Sequence, residues 1–510
     1  MKGAFMEPTQ VVNPFIEGVT NVNEAVNGFV WGIPMLILLV GTGILMTVLT
    51  KGFQFTHFHH WFKNTLGSIF TNRHVTKHTH KDDKSISQFQ SLCTALAATI
   101  GTGNIVGVAT ALIMGGPGAI FWMWIVALLG MMTNYSENVL GIFYRRKNSK
   151  GEWSGGAMYY LKHGLGSKKH LKKVGAILAV LFSVFALLAS FGIGNMSQVN
   201  SIAGNMNAAF GVPAWVMGII LAGLACLIIL GGLKRIASVT EKLVPFMAIA
   251  YIVFTIIVIA FHAQNIGPAF ASIFKGAFGA RAVGGGIVGG GISVALTWGM
   301  KRGVFSNEAG LGSSVMVHSN SNVKEPVRQG MWGIFEVFAD TIIVCTLTAL
   351  VVLTSGLVNL DTGAVISTSE KSALVGEAFG TVFGSFGPMF IAIAILLFAF
   401  STVLGWSHYG SKSFEYLFNE KYVFIYKIIF IAFIVIGATM ELTLAWDLSD
   451  TFNGLMAIPN LIGVIVLSPI VFKITKNYID RRKRNKQIRP MLSAFEDIQK
   501  MQEQLLHEDD

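Results

Sequence analysis

The chain has 510 residues, of which 53% are hydrophobic and 13% are charged, and its mean hydropathy is +0.59. A water-facing shell cannot hide that much apolar surface, so the composition excludes a soluble protein and indicates one surrounded by lipid. The three cysteines lie far apart and are odd in number, which argues against a disulfide framework or a metal cluster. The formal net charge is +11, and its distribution along the chain argues against nucleic acid as a partner.

Apolar windows of roughly 20 residues, the length that crosses a bilayer, predict about eleven transmembrane helices. They cover residues 30–49, 89–114, 119–144, 174–206, 213–230, 243–261, 284–317, 330–354, 386–407, 423–439 and 455–473. The chain then forms a single all-α transmembrane domain, residues 1–510, with four parts: an accessory helix at 30–49, a first five-helix repeat at 86–262, a second repeat at 284–473 and a cytoplasmic tail at 474–510.

The basic residues are concentrated in alternate loops. One set of loops, together with the tail, holds about 30 of the 38 Lys and Arg, and the opposite loops hold about four. The positive-inside rule therefore predicts an external N-terminus and a cytoplasmic C-terminus, which requires an odd number of helices. The positive charge then sets the orientation in the lipid bilayer.

The first predicted helix of the first repeat is interrupted near its middle by Gly101-Thr102-Gly103-Asn104. An interruption at that depth frees backbone N–H and C=O groups, which hydrocarbon cannot satisfy. The restarted half-helix presents N–H groups to an anion, whereas the carbonyls before the interruption can ligate a cation. A zwitterionic amino acid and a sodium ion provide both partners.

Farther along the first repeat, Asn195 and Gln198 are three residues apart and are expected on one helix face, with Phe191 a turn earlier. That face could close a substrate pocket. Hydrogen bonding between helices explains the same pattern equally well.

The first helix of the second repeat contains a glycine run and then Trp298-Gly299-Met300-Lys301-Arg302-Gly303, which predicts a second interruption. Paired Gly-interrupted helices in two halves of a chain point to the binding site of a transporter. The alternative is that these glycines serve only close helix packing. Buried polarity at Thr102 and Asn104 favours the transporter interpretation.

Three carboxylic acids, Glu137, Glu308 and Asp340, fall in or near apolar segments, where an ionised group needs a partner. Arg302 is expected to pair with Glu308 or to act as a gate on the cytoplasmic side. Nucleophile, zinc and nucleotide-binding motifs are not recognisable, so the sequence predicts that the protein is not an enzyme and that ion gradients supply the energy.

Three stretches resemble the alanine or glycine:cation symporter family: GTGNIVGVA from Gly101, GGPGAIFWMWIVALLG from Gly115 and WGMKRGVFSNEAGLGSS from Trp298. The resemblance implies a LeuT-type inverted five-plus-five repeat with one extra N-terminal helix, in a prokaryotic plasma membrane. It also implies sodium-coupled uptake of alanine or glycine by alternating access. A glutamine symporter and a proton-coupled permease of the same fold are the alternatives.

The resemblance also implies roles for individual residues. The amides of Thr102 and Gly103, beside Asn104, are expected to hold the substrate carboxylate, and a glutamate such as Glu137 to brace the second interruption. The other implied substrate residues, besides Phe191, Asn195 and Gln198, are Thr297, Trp298, Gly299 and Met300. The implied sodium ligands are the carbonyls of Ala97, Ile100 and Phe398 and the hydroxyls of Ser401 and Thr402.

Overall fold

The computed structural model describes residues 14–77, 84–278, 290–369, 371–440, 443–483 and 488–508. Within these ranges the chain is helical except for connecting loops and one short hairpin of strands β1 (Arg146–Lys147) and β2 (Trp153–Ser154). The predicted all-α class is confirmed. Six helices precede the first repeat: α1 (Pro14–Val30), α2 (Ile33–Leu49), α3 (Phe53–Thr56), α4 (Phe58–Asn64), α5 (Leu66–Thr71) and α6 (Arg73–Thr76).

The helices of the first repeat are α7 (Gln88–Thr99), α8 (Val106–Gly115), α9 (Gly118–Tyr144), α10 (Ala157–Tyr159), α11 (Lys172–Phe191), α12 (Ser197–Phe210), α13 (Ala214–Ile229) and α14 (Gly232–Phe261). They are followed by α15 (Ile266–Phe278), α16 (Gly290–Asn307), α17 (Val315–His318), α18 (Pro326–Val337), α19 (Thr346–Thr354), α20 (Lys371–Phe383), α21 (Phe386–Phe418), α22 (Val423–Thr439), α23 (Thr443–Lys483) and α24 (Glu496–Glu508).

Several short segments are wound more tightly (3₁₀) or more widely (π) than an α-helix. The 3₁₀ segments are Thr102–Asn104, Leu165–Ser167, Lys169–Leu171, Ala263–Asn265 and Glu420–Tyr422. The π-helical segments are Tyr160–Gly164, Gly192–Met196 and Phe338–Cys345. Short 3₁₀ and π segments often mark functional positions in helices.

Helices occupy all eleven predicted positions, although the count of eleven spans is not confirmed. By length and composition, eight helices of the described residues can cross a membrane, or nine if the bent pair α7–α8 is one span. The helices at the predicted spans 213–230 and 284–317 have 16 and 18 residues. Residues 284–289 of the latter span lie outside the described part of the chain.

After α2, the long helices fall into two groups of five. The first group is α7–α8, α9, α11–α12, α13 and α14, and the second is α16–α17, α18–α19, α21, α22 and α23. Each group begins with two helical pieces separated by non-helical or 3₁₀ residues. This order agrees with a five-plus-five arrangement, and the inverted relation of the two groups stays a prediction.

Helix α23 continues without interruption past residue 474, the predicted start of the tail, to Lys483. The division between membrane span and cytoplasmic tail stays a prediction. The last turns of α23 and the described residues that follow it contact the rest of the protein. Arg481 pairs with Glu325 at 2.7 Å, and the Ala494 amide donates to the Phe143 carbonyl at 2.9 Å. The end of the chain is therefore attached to the loop that follows α17 and to the end of α9.

Candidate functional site

The first predicted interruption is present. Helices α7 and α8 are bent by 60° at the break between Thr99 and Thr102. Within the break, the Gly101 amide donates to Asn104 Oδ1 at 3.1 Å, and the Asn104 amide donates to the Gly101 carbonyl at 3.3 Å. Asn104 therefore satisfies part of the backbone that the break exposes, as a polar group at mid-membrane must.

The side chain of Asn104 also connects the break to a distant helix. Its Nδ2 donates to Asp340 Oδ1 at 2.7 Å. The other Asp340 oxygen accepts from Ser306 Oγ at the end of α16 and from Thr341 Oγ1, both at 2.8 Å. Three donors therefore converge on one buried carboxylate, which links the first break to the end of α16.

Four of the predicted substrate residues lie together at this break: Thr102, Gly103, Asn104 and Gln198. The Thr102 amide donates to Gln198 Oε1 of α12 at 3.3 Å. A Cβ at Gly103 would lie 3.2 Å from Ser306 Cα, so the end of α16 packs directly against the break. Thr102 Oγ1 is buried and has no hydrogen-bond partner among the described residues. An unsatisfied buried hydroxyl at this position marks a place for a polar ligand.

Four of the five predicted sodium ligands lie next to the same break. Ser401 Oγ lies 3.2 Å from the Ala97 carbonyl and 2.8 Å from the Phe398 carbonyl. Thr402 Oγ1 lies 3.1 Å from each of these carbonyls. The fifth, Ile100, is the residue that caps α7, and carbonyls of a last helical turn lack partners in their own helix.

The second interruption does not lie where the sequence predicts it. Helix α16 is continuous from Gly290 to Asn307, so the predicted break at residues 298–303 is wrong. A Cβ at Gly299 would lie 2.7 Å from Trp122 Cβ, and a Cβ at Gly303 would lie 2.5 Å from Val126 Cγ1. These glycines, four residues apart on one face, let α16 pack closely on α9, which is the alternative that the sequence left open.

The chain instead leaves the helix at residues 308–314, between α16 and α17. Glu308, Gly310 and Gly312 have φ angles of 57°, 93° and 73°. Glycine adopts this left-handed conformation readily, whereas a glutamate there is unusual. The second break is therefore formed by residues in the left-handed conformation, which end α16.

Glu137 braces the second break at its actual position. Its carboxylate accepts hydrogen bonds from the main chain at Gly310 and Gly312 and from Asn460 of α23. Asn460 Nδ2 also donates to the Gly310 carbonyl at 2.9 Å. The predicted role of Glu137 thus agrees with the geometry, although the break lies farther along the chain than expected.

The predicted pairing of Arg302 with Glu308 is wrong. Glu308 accepts from Trp406 Nε1 at 2.9 Å and from Ser313 Oγ at 2.5 Å. The Arg302 guanidinium instead lies 5.3 Å from the centroid of the Trp298 ring and 5.5 Å from that of Phe305, as a cation–π partner. Glu308 therefore holds the second break to α21.

Two predicted pocket residues on the third helix point elsewhere. Phe191 packs on α22, with ring centroids 5.0 Å from Phe433, and Asn195 Nδ2 donates to the Phe430 carbonyl at 2.7 Å. Only Gln198 reaches the first break. The reason is the π-helical segment Gly192–Met196, whose wider turn removes the shared face that α-helical spacing predicts.

The remaining predicted substrate residues lie within α16. The main chain at Thr297, Trp298, Gly299 and Met300 belongs to a continuous helix, so it does not offer the freed groups that the prediction assumed. The part of α16 that meets the first break is its last turn, near Phe305 and Ser306.

Sequence reasoning assigned no site role to several residues that the structure brings to the breaks. They are Ser306, His318, Glu336, Asp340, Trp406 and Asn460. A signal was present for two of them, because Glu336 and Asp340 are acidic, four residues apart and inside an apolar span. Their partners, in contrast, lie on other helices.

The chain is similar to known proteins over most of its length. The model of the sodium:alanine symporter family matches residues 16–492. The chain is 45% identical over 468 residues to the sodium/alanine symporter AgcS of Methanococcus maripaludis, covering 90% of this chain and 97% of that protein. It is 35% identical over 464 residues to a probable sodium/glutamine symporter, GlnT, of Bacillus subtilis, covering 90% and 91%. Among solved structures, MhsT in complex with L-phenylalanine aligns with a TM-score of 0.49 and 14% identity, over 77% of this chain and 99% of that chain.

Proposed function

Because the chain belongs to the sodium:alanine symporter family, we propose that it couples sodium entry to the uptake of alanine or glycine by alternating access. Glutamine is the alternative cargo, since one relative is a probable sodium/glutamine symporter. The observation that carries the proposal is the group of four oxygens on α7 and α21 beside the first break.

The oxygens of Ala97, Phe398, Ser401 and Thr402 suit sodium, which as a hard cation prefers neutral or anionic oxygen ligands. The two hydroxyls now donate to the two carbonyls. Each hydroxyl can turn its proton away and offer a lone pair, so the group can bind a cation without backbone movement. Sodium would then join α7 to α21.

The amino acid lies between the first break and the end of α16. Its carboxylate is held by the Thr102 and Gly103 amides and by the positive N-terminal end of α8. Its ammonium meets the carbonyls of the last turn of α16, near Phe305 and Ser306, which carry partial negative charge. These carbonyls take the role of binding the ammonium, which was predicted for main-chain groups at residues 297–299. Gly103 packs directly against Ser306, so one small molecule beside this contact can reach both helix ends.

The distribution of basic residues supports an external N-terminus and a cytoplasmic C-terminus. One sodium ion entering with a neutral zwitterion then moves one charge inward, which contributes about 2.3 kcal/mol per 100 mV. Membrane potential and sodium gradient therefore both drive uptake into the cell.

Uptake of radiolabelled alanine into proteoliposomes tests this function. With an inward sodium gradient, we expect saturable accumulation, which stops when potassium replaces sodium. A panel of unlabelled amino acids then identifies the cargo: alanine and glycine should compete, and stronger competition by glutamine would favour the alternative. Undiminished uptake in potassium under a pH gradient would contradict sodium coupling.

Thr102→Val removes the unpartnered hydroxyl at the first break, which we expect to donate to the substrate carboxylate. The variant should lower the kcat/KM of uptake by about tenfold, since a hydrogen bond to a charged group contributes about 1.5–3 kcal/mol. The folded yield should not fall, because the hydroxyl has no partner to lose among the described residues. Thr110→Val is the matched control on α8, because Thr110 Oγ1 bonds to the Val106 carbonyl of its own helix. Equal kinetics in the two variants would remove Thr102 from the substrate site.

A further inference from the structure

Four buried carboxylic acids lie at or near the two breaks. Glu137, Glu308, Glu336 and Asp340 are each at most 4% exposed, and Glu336 lies near enough to the other three for its charge to act on them. Among the described residues, the ion pairs bring one basic side chain to this group, that of His318. Four ionised carboxylates in a membrane interior are strongly unfavourable without positive charge, and His318 is the basic side chain in contact with one of them.

The side chains of His318 and Glu336 contact each other and are both buried. His318 Nε2 lies 2.9 Å from Glu336 Oε2, and both side chains are 0% exposed. Asn134 Nδ2 of α9 also donates to Glu336 Oε2 at 3.2 Å, whereas Glu336 Oε1 has no hydrogen-bond partner among the described residues. Both contacts of this carboxylate are therefore made by one oxygen, Oε2, which lies against Asn134 and His318.

The groups next to the other ring nitrogen of His318, Nδ1, can either donate or accept a hydrogen bond. Nδ1 lies 2.5 Å from Gln329 Nε2 and 3.3 Å from Ser91 Oγ, and Gln329 Oε1 accepts from Ser321 Oγ at 2.8 Å. With the amide in this orientation, Nδ1 accepts and the ring is neutral. Turning the amide over would place its oxygen on a protonated Nδ1 and its nitrogen on the Ser321 hydroxyl, which can also accept. The pocket can therefore satisfy the ring in both charge states.

The remaining titratable neighbours come from α21. Tyr409 lies near Glu308 and Glu336, and His408 Nε2 lies 3.5 Å from Asn320 Nδ2. Helix α7 contributes the neutral Ser91. The pair contacts both interrupted helices, since His318 is the last residue of α17 and Ser91, in the first turn of α7, lies 3.3 Å from its Nδ1.

We propose that His318 and Glu336 form a proton-binding site, separate from the sodium site, and that binding of the proton slows transport. The added charge turns a hydrogen bond from a neutral imidazole to a carboxylate into an ion pair between α17 and α18, and a stronger contact there opposes the movement of the half-helix that alternating access requires. The effect on transport rests on the proposed function, whereas the binding of the proton does not.

Sodium-driven alanine uptake should be measured in proteoliposomes with internal pH set between about 8 and 5, the range over which histidine changes charge. We expect the initial rate of the wild type to fall by about fivefold or more on acidification, a typical coupling between two sites. His318→Gln should lose this fall, because its amide can still donate to Glu336 but does not titrate. His408→Gln, the control at a second buried histidine, should keep it.

A constant wild-type rate over this range, or an equal fall in His318→Gln, would overturn the effect on transport. Thermal unfolding of the purified protein tests proton binding without transport. The Tm advantage of the wild type over His318→Gln should grow as pH falls, because a proton bound in the folded state adds stability at low pH. An advantage that is independent of pH would overturn the site. If uptake is absent at every pH while the advantage still grows, the proton site stands and the proposed function fails.

Discussion

Replacing both Ser401 and Thr402 by alanine should raise the sodium concentration for half-maximal alanine uptake by on the order of 100-fold. Both hydroxyls lie within 3.2 Å of the Ala97 and Phe398 carbonyls. Removing them leaves two carbonyls where four oxygens converged, and a bound cation would lose half of these ligands. The measurement is the sodium dependence of the initial uptake rate in proteoliposomes at saturating alanine.

Ser407→Ala is the matched control for this double variant. Ser407 lies on the same helix and is fully buried, but its hydroxyl donates to the Leu404 carbonyl of that helix at 2.7 Å. We expect Ser407→Ala to keep the wild-type sodium dependence. If the double variant keeps it as well, α21 does not contribute to the ion site.

Gly101→Ala should reduce sodium-dependent uptake on the order of 100-fold. Adding a methyl group to a tightly packed site costs about 1–3 kcal/mol, and the upper end of that range corresponds to this fold-change. A Cβ at this position would overlap the Thr402 hydroxyl and lie 3.3 Å from Gln198 Oε1. Backbone strain is not the cause, because Gly101 has φ of −132°, which any residue adopts. The methyl group instead separates the first break from the proposed sodium ligand on α21.

Gly107→Ala is the control within the same interrupted helix, because a Cβ there meets no atom within 4 Å. Alanine also favours a helix more than glycine does, by about 1 kcal/mol. We expect Gly107→Ala to transport like the wild type and to be at least as stable. Uptake that is lost equally in both variants would show that any added methyl disturbs this helix, and wild-type uptake by Gly101→Ala would separate the break from the ion site.

Much of the fold follows from local sequence pattern. Hydropathy predicts a helix at each of the eleven positions because a lipid-facing helix must be apolar over its whole length. The first break is equally local, since Gly101 and Gly103 together with the polar Thr102 and Asn104 disrupt an apolar run at mid-membrane. The resemblance to a family then pointed to Ala97, Ser401 and Thr402, which the structure brings together.

Local sequence pattern gave a wrong position for the second break, because glycine serves two different purposes in this chain. Gly299 and Gly303 predict an interruption, yet they support packing of α16 on α9, whereas Gly310 and Gly312 form the actual second break. A glycine that admits a neighbouring helix and one that adopts a left-handed turn look alike in a sequence. The spacing of Asn195 and Gln198 failed for a related reason, because it assumed an α-helix where a π-helical segment occurs.

The sequence by itself determined that this is an all-α membrane protein with a polar break near Gly101, because apolar length and helix interruption are properties of neighbouring residues. Only the tertiary structure decided the partners of the buried polar groups. Asn104 meets Asp340 across 236 positions of the chain, and Asn460 meets Glu137 across 323. In a membrane interior a buried polar group must find a partner within the protein, and helix packing, not sequence spacing, decides which partner is near.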